Sequence, residues 1–440
     1  MQRLLIIFSI ASILLFHSCS ESEEASEPMT IEAGVPLSLA QYRAEHYSNV
    51  RYELSFNIPE AKAEPINGFV TVSFDAADIQ QPLALDFKVG HDPNLRISKE
   101  GQDVAFTFEK EHIIIPAGYL VEGTNSFSIA FQAGDMSLNR NEDYLYTLLV
   151  PDRARTVFPC FDQPNIKARF SLNLEIPAHW KASANSSLEK TDEKGETTIH
   201  HFNPSDQIST YLFAFAAGDF KEATAQRDGR PMRMLYRESD TAKVNQSVDA
   251  IFDLHASALN WLEEYTHIPY PFEKFDFVLI PTFQYGGMEH VGNIFYREGS
   301  LMLDEGATIN QQLGRASLIA HETAHMWFGD LVTMDWFNDV WLKEVFANFM
   351  AAKIVNPSFP EINHDLRFLL AHQPSAYGED RSEGSHPIQQ PLGQSPRCRH
   401  AVWPYHLSKS PRGHATVGDH DRRRELQTGS AILPSKIFFQ

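Results

Sequence analysis

A chain of 440 residues, 43% apolar and 21% charged, has room for two or three domains with sizeable cores. Its formal net charge of −20 excludes a nucleic-acid backbone as partner, because binding phosphates needs a basic surface. Three cysteines in this length exclude a disulfide-built scaffold.

The chain opens with Met1-Gln2-Arg3 and the apolar run Leu4 to Phe16, too short and wrongly flanked for a membrane span. This predicts a signal peptide over residues 1–18. Ser18-Cys19 resembles a bacterial lipoprotein box, which implies that Cys19 becomes a lipidated first residue. Residues 19–47 then form an acidic tether and lead-in. The expectation is an exported protein of the bacterial cell envelope, anchored to the outer membrane through Cys19. Cys160 reads as a small buried residue.

Residues 48–235 follow period two. Val70, Val72 and Phe74 alternate with Thr71 and Ser73, and Phe170, Leu172, Leu174 and Ile176 alternate with polar neighbours. Turn residues such as Asn67-Gly68 punctuate the runs, so the reading is an antiparallel β domain of saddle or sandwich type. The pattern changes near Glu238. Val248, Ile251, Phe252, Leu259 and Leu262 mark one face of a helix of about 20 residues. A short strand, Phe275 to Ile280, precedes Gly286-Gly287; helices are expected at Arg315 to Phe328 and Asn338 to Ala351. Residues 236–392 therefore read as a separate α+β catalytic domain.

Two motifs carry the chemistry. In His321-Glu322-Thr323-Ala324-His325, the two His are four apart on a predicted helix and share a face, so both imidazoles reach one zinc ion. Glu322 stands beside the first ligand, placed to act as general base on a metal-activated water. Glu344 follows with eighteen residues between it and His325, on the next helix. Two His and one Glu with an open fourth position make a catalytic zinc set rather than a closed structural one. The second motif is Gly286-Gly287-Met288-Glu289-His290. Bare backbone there can pair with an extended peptide, and Glu289 is a candidate to hold a free α-amino group, as an exopeptidase requires. The same residues are also consistent with a glycine turn followed by a solvated acid.

At these motifs the chain resembles the gluzincin aminopeptidases, the family of aminopeptidase N and leukotriene hydrolase, over roughly residues 40–392. The resemblance includes Phe158 to Pro164, the glycine motif, His321 to Asp330 and Asp339 to Ala347. It implies a β saddle followed by a thermolysin-like α+β domain, one Zn2+ per chain and removal of N-terminal amino acids from peptides. By resemblance His321, His325 and Glu344 bind the metal and Glu322 is the base; Gly286, Gly287, Met288 and Glu289 bind substrate, Glu289 its amino terminus. His290 stands where the family has Asn, and Lys343 and Val345 stand where it has Asn and Gly.

The end of the chain departs from this pattern. Residues 393–440 hold eight Lys or Arg against three Asp or Glu, reversing the sign of the chain, and lack apolar periodicity. The family's oxyanion-binding tyrosine is expected near residue 406, yet Tyr405 lies in unmatched surroundings, Ala401 to Ser408. Codons compatible with the tail, read one base later from Arg397, give a helix-rich, family-like sequence with that tyrosine at Leu407-Ser408. The expectation is a frame change from about Gly393 and a missing C-terminal helical domain. Two further readings stay open: an impaired zinc-binding chain acting as a peptide binder, and an epoxide hydrolase on the same site.

Overall fold

The computed structural model describes residues 31–90, 92–382 and 391–394. The signal segment, Cys19, Tyr405 and the tail beyond Gln394 lie outside the described residues.

The first half is built on an eight-stranded sheet. In spatial order its strands are Leu188–Lys194, Thr197–Phe202, Arg169–Pro177, Tyr47–Asn57, Asn67–Ala76, Gly123–Gln132, Arg96–Lys99 and Gln102–Asp103. Alternation does what period two predicts: Tyr52, Leu54, Phe56, Val70, Val72, Phe74, Phe127, Ile129 and Phe131 are buried while their neighbours face outward. Pairing departs from the antiparallel expectation at the centre, where Tyr47–Asn57 runs parallel to Arg169–Pro177 with Arg51 opposite Arg169. A parallel neighbour needs a long crossover, and the intervening hairpins supply it, together with two strands of a four-stranded sheet, Leu138–Arg140 and Tyr144–Thr147. That smaller sheet (Lys181–Ala184, Phe215–Gly218, Tyr144–Thr147, Leu138–Arg140) shares the core, with the Phe56 and Phe215 rings 5.4 Å apart. Cys160 is buried there.

The second half rests on a five-stranded sheet in the order Lys221–Arg227, Arg230–Tyr236, Asp276–Ile280, Asn293–Arg297, Gly287–Met288. The sequence boundary near residue 236 therefore falls after two strands that pair into this sheet, Met234 lying opposite Phe277. Alternation marks a strand with one covered face but not the sheet it joins.

Six α-helices are described: α1 (Leu37–His46), α2 (Thr241–Thr266), α3 (Glu298–Leu301), α4 (Ile309–His325), α5 (Val340–Val355) and α6 (His364–Asp380). α2 is longer than its apolar face suggests, because the Asp240 carboxylate caps it by accepting from the N–H groups of Ala242 and Lys243. Its buried face, Ile251, Phe252, Leu259 and Leu262, shares a core with Phe277, Leu279, Ile294 and Tyr296 of the sheet. α4 starts earlier than the sequence reading. Thr308 and Gln311 form a reciprocal capping box that fixes its first turn. Near the other end of the described chain, the Trp336 indole donates to the carbonyl of Leu392 at 2.8 Å, and the Leu37 N–H donates to that of Gly393 at 3.0 Å.

Candidate metal centre

α4 and α5 pack against each other, and their facing sides bring together the residues singled out by spacing. His321 and His325 are one turn apart on α4, their Nε2 atoms 3.1 Å from each other. Glu344 reaches across from α5, placing Oε2 3.5 Å from His321 Nε2 and 3.8 Å from His325 Nε2. A tetrahedral zinc with donors at about 2.1 Å spaces them about 3.4 Å apart, so the three separations fit the edges of one coordination sphere. The tautomer of His325 agrees. Its Nδ1 lies 3.1 Å from the carbonyl of Phe328, which can only accept, so Nδ1 carries the proton and Nε2 presents its lone pair. Gly329 gives this ring room: a Cβ on it would stand 3.1 Å from His325 Nδ1.

Glu322 is 4% exposed and lies under the edge strand Gly287–Met288. A Cβ at position 287 would stand 2.4 Å from Glu322 Oε1, so only glycine lets carboxylate and strand approach this closely. The strand pairs through Gly287 with Tyr296 and through Met288 with Phe295, and among the described residues it is the last in its sheet. Gly286 lies against Leu318 of α4, and Met288, though it lines the cleft, is buried in the core of the first half. Glu289 is buried and its Oε1 receives the ammonium of Lys343. These residues and the two helices line a cleft of about 590 Å3.

Burial dominates the electrostatics, and the local charges correct it. It pushes the Glu322 carboxyl up to about 8; His321 opposes this, and Glu289 and Glu344 add to it. Burial works against a proton on His321, but Glu344, Glu322 and Glu289 outweigh it and hold His321 at about 9. His325 is lowered to about 4, chiefly by burial. Burial would raise Glu289, yet Lys343 brings it down to about 2. Asp330 is driven well above the usual carboxylate range by burial, with neither oxygen hydrogen-bonded.

Four further residues contribute to the site that the sequence reading gave no role. Val150 and Pro151, from the first half, form one wall of the cleft. Tyr211, also from the first half, is fully buried and lies with its ring 5.0 Å from Lys343 Nζ. Lys343, which the sequence marks only as a neighbour of Glu344, points its charge into the cleft. Val150, Pro151 and Tyr211 have no motif, because each reaches the site through tertiary packing; Lys343 lies within the Asp339 to Ala347 segment and was read there only as a departure beside Glu344.

A β-rich half followed by a mixed half with paired His and Glu donors on two adjacent helices defines a metallopeptidase architecture. Residues 48–212 match the Peptidase M1 N-terminal domain and residues 251–401 the Peptidase family M1 domain. The chain belongs to peptidase family M1. It is 39% identical to a puromycin-sensitive aminopeptidase of Caenorhabditis elegans over 240 residues, covering 54% of this chain and 25% of that protein. With endoplasmic reticulum aminopeptidase 1 of Mus musculus it shares 38% identity over 255 residues, 58% of this chain and 27% of the relative. With aminopeptidase N of Streptomyces lividans it shares 29% over 366 residues, 79% and 42% respectively. The chain thus spans between a quarter and about two fifths of the length of these relatives.

Proposed function

We propose that this chain is a zinc-dependent aminopeptidase that removes residues from the free N-terminus of peptides. The observation that carries the reading is the meeting of three candidate metal donors, His321, His325 and Glu344, with a buried carboxylate, Glu322, beneath a strand that is the last in its sheet among the described residues. His321 and His325 would hold the metal through Nε2 and Glu344 through Oε2. Bound there, zinc polarises a carbonyl and lowers the pKa of water toward ~7.

The chain's own residues supply the rest. The Gly287–Met288 edge offers backbone groups for pairing with an extended peptide, which orients its scissile bond over Glu322. Glu322 accepts a proton at its carboxylate and delivers it to the leaving amine. For this the carboxylate must be ionised; its metal-free value of about 8 is set by burial, and a cation at the three donors favours the charged form. Glu289, held charged at the end of the cleft, is the proposed contact for the terminal amine, which restricts cleavage to the first residue. Export through residues 1–18 and anchoring at Cys19 remain part of the proposal on the N-terminal sequence alone.

Zinc content measured together with hydrolysis of an aminoacyl chromogenic substrate tests the reading. One zinc per chain and turnover lost in Glu322→Gln support it. Turnover unaffected by that substitution, or by chelation, would end it.

A further inference from the structure

We infer that Arg153 is a specificity-determining residue: its guanidinium takes a carboxylate that the substrate carries within its first two residues, either an acidic side chain or the C-terminal carboxylate of a dipeptide. The inference rests on the reading above, in which the cleft holds the first bond of a peptide. It starts from a cation without a counter-charge. Arg153 lines the cleft, and its Nε is shielded from solvent with no hydrogen-bond partner. An arginine keeps its charge when enclosed, and an enclosed charge left unpaired is costly, so the position calls for an acceptor from outside.

The acids around it are committed elsewhere. Asp152, its neighbour in sequence, is fully buried and receives Arg155 Nη2 at 3.0 Å. Asp162 takes Arg155 Nη1 at 3.3 Å. In the cleft, Glu289 receives the Lys343 ammonium, Glu344 faces His321, His325 and Lys343, and Glu322 lies under Gly287. These three acids come from the second half of the chain, whereas Arg153 stands with Val150 and Pro151 on the wall that the first half supplies. Among the described residues, no carboxylate pairs with Arg153.

The residue is also held in place. Its N–H donates to the carbonyl of Leu149 at 2.8 Å, and its own carbonyl accepts from the Thr156 N–H at 2.9 Å and the Thr156 hydroxyl at 2.8 Å. Val150 and Met288 belong to one buried core, which fixes this wall against the edge strand Gly287–Met288. Glu322 and Glu289 line the same cleft, so the substrate groups that reach Arg153 are those flanking the first peptide bond. A guanidinium presents a planar fork of N–H donors that fits a carboxylate through two parallel bonds. An amide of the same shape lacks the charge and sets an N–H donor against one arm of the fork.

Calorimetry on the zinc-loaded full chain carrying Glu322→Gln, which slows turnover, tests this with three pairs of peptides differing by one carboxylate. They are Glu-Leu-amide and Gln-Leu-amide, Leu-Glu-amide and Leu-Gln-amide, and Leu-Leu and Leu-Leu-amide. In at least one pair the charged member should bind about tenfold more tightly, a difference of about 1.4 kcal/mol. The pair that responds identifies the first side chain, the second, or the C-terminus as the source. Arg153→Gln should bring that ratio to within about threefold of unity, and Arg153→Lys should keep most of it. The uncharged peptides should bind all three chains alike. Ratios near unity in every pair with Arg153 present, or a preference that survives Arg153→Gln, overturn the inference. So does an equal loss of affinity for charged and uncharged peptides in Arg153→Gln, the mark of a merely structural arginine. In each of these cases hydrolysis of a neutral aminoacyl substrate by the native chain leaves the aminopeptidase reading standing. Binding of none of the six peptides overturns that reading and the inference with it. If neither variant folds, the ratios measured with Arg153 present decide the matter.

Discussion

Two clusters of buried charge organise this molecule, and they are built on opposite rules. In the first half, Asp86 is fully buried and fully served. Arg43 of α1 grips it with two N–H donors at 2.6 and 2.8 Å, the N–H of Asp162 donates at 2.8 Å, and His112 stands 2.9 Å away. Its carboxyl is held far below the ordinary range because Arg43 and His112 outweigh burial. Arg155 is tied in the same way to Asp152 and Asp162. In the second half, His321, His325 and Glu344 bring their ligand atoms around one shared space, Glu289 and Glu322 gather beside His325, and Asp330 next to them has no hydrogen bond. A cluster whose charges close on one another fixes the fold. A cluster whose lone pairs converge needs something from outside.

The largest effect that would sharpen the contrast is at Glu322. Glu322→Gln should lower the rate of aminoacyl substrate hydrolysis by ~10²–10⁴-fold while zinc content stays at one per chain. A parallel loss of zinc would show Glu322 to be holding the site together instead. Arg43→Met is the matching experiment in the other cluster. It leaves Asp86 buried without its main partner and should lower unfolding free energy by roughly 3–5 kcal/mol in a denaturant titration, with zinc stoichiometry unchanged. If the loss is small, the first cluster is not the brace described here.

Proton linkage separates the two clusters again. His321, held at about 9 without metal, is protonated at neutral pH and must lose that proton to become a ligand. Metal affinity should therefore rise with pH, about tenfold per unit below 9 for one proton, and calorimetry in buffers of different ionisation enthalpy should detect the proton released. A pH-independent affinity between 6 and 8 would contradict the assignment of His321. The smallest effect is expected at the helix cap: Thr308→Ala removes half of the capping box of α4 and should cost ~0.5–2 kcal/mol of stability. Because both histidines lie at the far end of that helix, zinc affinity should hardly change.

How much of this was legible in advance divides along the same lines. The meeting of His321, His325 and Glu344 was readable because its spacing is local: four residues make one helical turn, and Glu344 rides the next helix in the same packed pair. The β-rich and mixed halves were readable from the change in period. The partners reached over long sequence distances were not. The parallel pairing of Tyr47–Asn57 with Arg169–Pro177 leaves no periodic trace, since either strand alternates identically whichever neighbour it takes. Strands Lys221–Arg227 and Arg230–Tyr236 joined the second sheet for the same reason. Tyr211 lies beneath Lys343 because the two halves pack together, and no short window of sequence contains both residues.

The edge strand Gly287–Met288 sets a scale of its own. It is two residues long, and its glycine is tied to Glu322 by a contact that admits no Cβ. A chain laid along so short a ledge gains one or two ladder hydrogen bonds and no more, each adding only about 1 kcal/mol net. Such a grip is weak and independent of how far the visitor extends. On the proposed reading, in which a peptide pairs with this ledge, it is a gauge of ends and not of lengths: a tripeptide and a decapeptide should dock on it equally well, and both should leave it quickly.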